Sequence, residues 1–169
     1  MDSLFENTYT AGKPFYQELY SYFHFRRPIT VAAFIVCGIC FASQLALAIF
    51  DLEYNLSIMI LMALFPLFKL FAYVNQINSI TKRNKEISAE AINICSIVYE
   101  DHLEMTASNG STINIELSKI RGAVQTKNYI VLRSDARLIY SFGKDGFTKG
   151  TKDEFLAFLK SKNIKVSGK

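Results

Sequence analysis

The sequence predicts a membrane α+β protein: a two-helix transmembrane hairpin joined to a cytosolic antiparallel β domain that a C-terminal helix closes. Three observations predict it. Two apolar runs of membrane length lie side by side, short β-type runs fill residues 92–142, and a capped amphipathic segment follows Gly150. Composition agrees with this division. Of 169 residues, 50% are hydrophobic, 14% aromatic and 20% charged, with a net charge of +4, which is too apolar for a disordered chain. Eight Gly, three Pro and three Cys exclude collagen-like and disulfide-scaffold architectures. A freely soluble enzyme is not expected from this distribution.

Residues 1–28 form an aromatic-rich leader. Leu4 to Thr10 (LFENTYT) reads as a strand that joins the later sheet. Pro14 suits a first helical turn, after which Phe15, Leu19, Tyr22 and Phe23 share one face. That helix either lies at the headgroup boundary, where Tyr keeps its ring dry and its hydroxyl wet, or packs on the C-terminal domain.

The first span, residues 29–50, is 22 residues without a charge, about 33 Å of helix, and the second, residues 56–74, is 19 residues with one Lys, about 28 Å. The acidic link Asp51 to Asn55 is short enough to force an antiparallel hairpin. A soluble core pair would rarely run so long without charge. Ala46-Leu47-Ala48 mimics a signal cleavage site, but the run is too long and a second span follows at once. Arg26 and Arg27 precede the pair, Lys82, Arg83 and Lys85 follow it, and the link has no base, so both termini are expected in the cytoplasm.

Within the spans, Gly38, Ala42 and Ala46 form a small-residue face, expected most simply to pack on the second span, with a second copy or a partner helix as the alternative. Pro66 removes one backbone donor and is expected to kink the second helix. Lys69 is an intramembrane charge about 8 Å deep that can snorkel to the headgroups; no Asp, Glu or His in either span completes a relay. Cys37 and Cys40 form C-x-x-C inside hydrocarbon and read as packing residues, because zinc needs four ligands.

Residues 75–91 read as a polar helical linker and residues 92–169 as the cytosolic domain. Strands are expected at Ile92 to Tyr99, His102 to Ser108, Ser111 to Leu117, Ile120 to Thr126, Tyr129 to Arg133 and Arg137 to Phe142. Asn109-Gly110 supplies the residue types of a type I′ hairpin turn. Thr151 and Glu154 form a capping box, starting a helix that lays Phe155, Leu156, Phe158 and Leu159 on the sheet and runs to about Lys162. Strands in a meander followed by one terminal helix is the order of a pleckstrin-homology-like barrel.

FENTYT before an aromatic helix, two adjacent spans, and then INIELSKIRGAVQTKNYIVLRSDARLIYSFGKDGFTKGTKDEFLAFLKSK resemble the YcxB-like bacterial membrane proteins. The correspondence is densest over Ile120 to Leu132, Ile139 to Phe147 and Asp153 to Leu159. The resemblance implies a two-span bacterial protein whose cytosolic domain is similar to pleckstrin-homology-like modules, and it brings no catalytic residues. One departure is Tyr140-Ser141, where the family often carries a Pro.

Chemistry is sparse in the sequence. His24 and His102 are the two histidines, and no P-loop, dinucleotide, zinc-protease or nucleophile-elbow motif occurs. Gly143-Lys144-Asp145-Gly146 reads as a turn. Glu100, Asp101 and Glu104 are an acidic set without calcium-loop spacing. No catalytic residue, metal ligand or cofactor is assigned. Charge is polarised: residues 119–169 hold twelve Lys or Arg against four acids, whereas 86–116 hold six acids and no base. Lys119, Arg121, Arg133, Arg137, Lys144 and Lys149 are therefore the candidates for binding a partner or anionic lipid, at about 1 kcal/mol per base near a membrane surface. The expectation is a non-enzymatic bacterial inner-membrane protein that presents a β-rich module to a protein or to lipid headgroups, in a regulatory or immunity-type role. Its partners would be membrane lipids and either another protein or a second copy, not nucleic acid. The alternative is an accessory subunit of a transporter or other membrane complex, docking through its helices. An enzyme ranks third.

Overall fold

Strand β1 (Phe5–Ala11) pairs along its whole length with β2 (Ile92–Val98), from Phe5 opposite Val98 to Ala11 opposite Ile92. The N-terminal segment thus joins the later sheet, as expected for Leu4 to Thr10. The structure, a computed structural model, describes residues 2–50, 52–87, 91–136 and 138–168. The chain divides into two units, residues 1–18 with 84–169 and residues 19–83.

The first unit contains two sheets. β3 (His102–Ala107), β4 (Thr112–Glu116) and β8 (Phe147–Lys149) complete a five-stranded sheet in the order β4-β3-β2-β1-β8. β5 (Ile120–Gln125), β6 (Tyr129–Ser134), β7 (Ile139–Gly143) and β9 (Val166–Ser167) form a four-stranded sheet in the order β7-β6-β5-β9. β7 runs straight through Tyr140 and Ser141, both buried. Two of these strands carry no signal in the sequence. β8 is too brief for periodicity to show, and β9 runs parallel to β5, so no hairpin turn announces it.

The β3–β4 loop also differs from expectation. A type I′ turn needs a positive φ at two central residues, but only Gly110 has one, at 84°. The Gly110 N–H donates to Ala107 O and the Ala107 N–H to Ser111 O, both at 2.9 Å, giving a three-residue loop with glycine in the left-handed position. The Asn109 side chain accepts from the Ser111 N–H instead of adopting a left-handed backbone.

Between β1 and β2 in the chain, α1 (Lys13–Ser21) passes into a π-helical turn at Tyr22–Arg26, followed by α2 (Pro28–Ile49) and α3 (Leu56–Ile87). Pro28 occupies the first turn of α2, where its missing N–H costs nothing. Asn55 caps α3 by accepting from the Ile58 N–H at 3.1 Å. α3 continues through Pro66 and through most of the polar stretch expected as a linker. Of the acidic link, Asp51 lies outside the described residues.

The two long helices of the second unit are antiparallel. Phe34 packs on Phe65, Phe25 on Tyr73 and His24 bonds Gln76, so numbers fall on one helix as they rise on the other. Both are long and apolar enough to cross a membrane, over Pro28–Ile49 and Leu56–Arg83.

The last helix, α4 (Lys152–Ser161), belongs to the first unit and is specified at both ends. Thr151 Oγ1 accepts from the Glu154 N–H at 3.3 Å, and a Glu154 oxygen accepts from the Thr151 N–H at 2.8 Å. At the other end Asn163 takes a left-handed φ of 59°, its N–H reaching Lys160 O while the Ile164 N–H reaches Leu159 O. This is a Schellman arrangement, and it turns Ile164 into the core. Phe155 and Leu159 are fully buried, with Phe155 packing on Phe142 at 4.7 Å, Phe5 at 5.4 Å and Phe147 at 5.5 Å between ring centroids. Both sheets therefore share one apolar core with α4, including Val98, Leu103, Ile130 and Leu132. Burying each such side chain contributes about 1.5–3 kcal/mol.

Candidate functional site

The two sheets are joined by a side chain that stands in for a strand. Phe5, Asn7, Tyr9 and Ala11 share one face of β1 by period two, which places a polar residue among apolar ones. Asn7 is fully buried. Its Nδ2 donates to Gly143 O at 2.7 Å and its Oδ1 accepts from the Gly143 N–H at 3.0 Å, so its amide pairs with the end of β7 as a backbone peptide would. The Thr8 N–H donates to Gly146 O at 2.8 Å, and a Cβ on Gly146 would strike the Thr8 carbonyl. The Gly143–Gly146 segment is thus a turn, closed by a Gly146 N–H bond to Gly143 O at 3.1 Å, with glycine required by the closeness of β1. The pairing of Asn7 with Gly143 is the geometry that the sequence hid. Its one signal was a polar residue in the apolar phase of β1.

Beside this clasp lies an aromatic group. Tyr9, Phe15 and Tyr129 meet with ring centroids 4.8–5.7 Å apart. Burial pushes the Tyr9 hydroxyl far above its ordinary range, against the opposing effect of its hydrogen bond with Ser141. Tyr129 is raised too, by burial and then by the nearby Glu18 carboxylate. Both stay protonated near neutrality. Glu18 accepts from the Asn128 N–H and Nδ2, each at 2.7 Å, fastening α1 to the β5–β6 turn. Of the two alternatives for the aromatic face, Phe15 takes packing on the domain.

The basic candidates do not form one patch. Lys119 pairs with Glu116 at 3.3 Å, and Arg121 pairs with Asp135. Arg133 lies opposite Gly122 at the bulge of β5, where the missing side chain leaves room for its guanidinium, and its buried Nε has no partner among the described residues. These three gather at the start of β5, beside the main chain of Lys165, whose carbonyl accepts from Ala123. Lys144 is at the opposite end of the sheet, donating to Thr126 O at 2.6 Å, and Lys149 is on β8, donating to Ser3 Oγ at 2.9 Å. Arg137 lies outside the described residues. Nearness along the sequence concealed this dispersal.

The acidic set also separates. Glu100 and Asp101 line an open pocket of about 590 Å³ with Glu116, Ser118 and Lys162, where Lys162 sits 3.7 Å from Glu100. Glu104 lies outside that pocket, accepts from Asn114, and sits 3.9 Å from Nε2 of the His102 ring whose Nδ1 meets Asp101. No group of three His, Cys, Asp or Glu placed to hold a metal occurs among the described residues. His102 stacks on Tyr99 at 4.5 Å and bonds Asp101 at 2.6 Å, which holds the Asp101 carboxyl below its usual range. His24 bonds Gln76 of α3 at 2.8 Å.

In the helical unit, Cys37 faces α3 and lines an apolar groove of about 450 Å³ with Leu61, Met62, Leu64, Phe65 and Phe68. Cys40 is half-buried and free. The next residue round from Cys37 faces elsewhere. Gly38, Ala42 and Ala46 are exposed, and a Cβ on Gly38 would meet nothing within 4 Å. The small-residue face therefore does not pack on the second helix, whose contact is made by Phe34 and the groove residues instead. Lys69 is half-buried with its ammonium 5.9 Å from the Phe65 ring, a cation–π contact within its own helix.

No curated protein and no solved structure matches the chain. Residues 98–159, from the end of β2 to Leu159 in α4, match the family model described as YcxB-like protein, and with the two apolar helices ahead of it this chain carries a YcxB-like domain in the arrangement the resemblance implied.

Proposed function

We propose that this is a non-enzymatic bacterial inner-membrane protein, with both termini cytoplasmic, whose sheet unit is a pleckstrin-homology-like module for binding a partner protein. One observation carries the reading: α2 and α3 expose large apolar side chains along their length. Ile29 is 78% exposed and Phe68 67%, and Ile35, Val36, Ile39, Leu61 and Phe71 are exposed with them. Covering each by lipid is favourable by about 1.5–3 kcal/mol, and no aqueous arrangement of so many offers the same. Two sheets around one core closed by α4 support the pleckstrin-homology-like description. A protein partner is favoured over lipid headgroups because the bases are dispersed and two are already paired with acids. A regulatory or immunity-type role suits such a module.

The exposed Gly38, Ala42 and Ala46 face supports a second reading, an accessory subunit docking by α2 into a larger membrane complex. Pull-down of the full chain in mild detergent, paired with labelling of terminal tags in intact and opened cells, tests both. Tags that label only after opening, with a co-purifying protein lost on mutation of the sheet unit, are the expected result. Loss of that protein in Gly38→Leu instead selects the accessory reading. Terminal tags labelled from outside intact cells, or a chain that stays dispersed without detergent, overturn the proposal.

A further inference from the structure

Strand β4 is an outer edge of the five-stranded sheet, with Thr112, Ile113, Asn114 and Glu116 exposed and Ile115 buried. An antiparallel strand bonds a single neighbour through alternate residues. At one end of β4 the Ala107 N–H donates to Ser111 O, and at the other the Leu117 N–H donates to Asp101 O at 2.8 Å. Both bonds have the same phase, so Ser111, Ile113, Ile115 and Leu117 direct their main-chain groups to β3. Thr112, Asn114 and Glu116 direct theirs outward. Such an edge is ordinarily blocked by a lysine, a proline or a bulge. The register of β4 on β3 is unbroken, and TINIE contains neither Lys nor Pro.

The edge is complementary to itself. When two copies are placed antiparallel about a two-fold axis at Asn114, Asn114 faces Asn114, Thr112 faces Glu116, and Ile113 faces Ile115. Each outward-directed main chain then meets another outward-directed one, as a bonded antiparallel pair demands. No like charges are opposed, and each Glu116 meets a hydroxyl. Ile113 lies on the core side of the sheet yet is 48% exposed, and it would gain the second copy's Ile115 as a cover. An axis at Glu116 would oppose two carboxylates, and a one-residue slip would break the bonding phase. We propose that β4 pairs with β4 of a second copy of this chain about Asn114, continuing one sheet through both in an isologous dimer.

The test uses the full chain in mild detergent. In a Cys37→Ala, Cys40→Ala, Cys95→Ser background, Asn114→Cys places two Cα atoms about 5.5 Å apart, within disulfide range. Mild oxidation is expected to give a covalent dimer, with far less from Asn109→Cys in the hairpin loop. Asn114→Lys opposes two ammonium groups at the axis while Glu104, which accepts from Asn114 in one chain, can take the lysine. The dimer dissociation constant should then rise about fivefold by mass photometry. Equal cross-linking at both positions overturns the proposal. So does a wild-type chain that stays monomeric, or a dimer untouched by Asn114→Lys and dissolved by Gly38→Leu, which would place the contact on the helices.

Discussion

The two units of this chain handle apolar side chains in opposite ways. In the sheet unit Phe142, Phe155 and Leu159 are wholly buried, and the buried Asn7 amide is bonded to main chain far away in sequence. In the helical unit many large apolar residues, Phe68 and Phe71 among them, point outward. The described inter-helix contacts are rings such as Phe34 on Phe65, the groove beside Cys37 and a few polar bonds near the ends. The sheet unit is built against water. The helical unit presents to its surroundings what the sheet unit conceals, and each helix satisfies its own main chain. Under the membrane reading proposed above, one chain carries two solutions to the same hydrophobic effect, one for water and one for lipid.

The sharpest test of that contrast removes one phenyl ring from each unit. Phe155→Ala deletes a fully buried ring that touches Phe5, Phe142 and Phe147 and should destabilise the sheet unit by about 3–5 kcal/mol. Phe68→Ala removes a ring that is 67% exposed and should change stability in detergent by no more than about 0.5 kcal/mol. Denaturant melts of the full chain in micelles measure both. Comparable losses would mean that α3 is packed against protein, and the two-solvent contrast would fail.

Asn7→Leu probes the polar bonding inside the sheet unit. It keeps bulk but leaves the Gly143 N–H without a partner and Gly143 O with only the Gly146 N–H, a cost of about 1–3 kcal/mol. Hydrogen exchange at the Gly143 amide should accelerate with the global loss of stability. An unchanged melt would show that the clasp is replaceable by apolar contact. Thr151→Ala is a milder lesion. It removes the side-chain acceptor for the Glu154 N–H and should cost about 1 kcal/mol, with the loss confined to the start of α4.

What the sequence makes legible follows from the range of each interaction. Seven strands of the sheet unit were legible, β3 and β4 because their apolar residues alternate and the others as short runs bounded by turn residues, and α4 because Thr151 and Glu154 are near neighbours. The two apolar helices were legible from length and composition alone. Interactions between distant segments were not. Asn7 finds Gly143 and Glu18 finds Asn128 across more than a hundred residues, and nothing local marks either pair. Gly38 shows the same limit in a helix: spacing groups it with Ala42 and Ala46, but only the position of α3 decides that this face is open. The basic residues clustered along the sequence and dispersed in space, because successive strands carry them to opposite ends and different sheets.

The smallest expected effect lies at the turn between β2 and β3, where a charge interaction sits on the water-facing surface of the sheet unit. The Asp101 carboxyl is held below its ordinary range chiefly by its hydrogen bond with His102. A carboxyl whose folded value is lowered binds protons less well than in the unfolded chain, so its contribution is full above the unfolded value and disappears as pH falls through the folded one. Asp101→Asn keeps an oxygen for the His102 ring but cannot ionise. Melts of both proteins at neutral pH should show the substituted chain slightly the weaker, with the gap closing in acid below the usual carboxylate range. Because the Asp101 carboxylate is exposed, the gap should also shrink in high salt. A gap that is independent of pH would assign it to the Asp101 main chain, which already accepts from the Leu117 N–H, rather than to the charge.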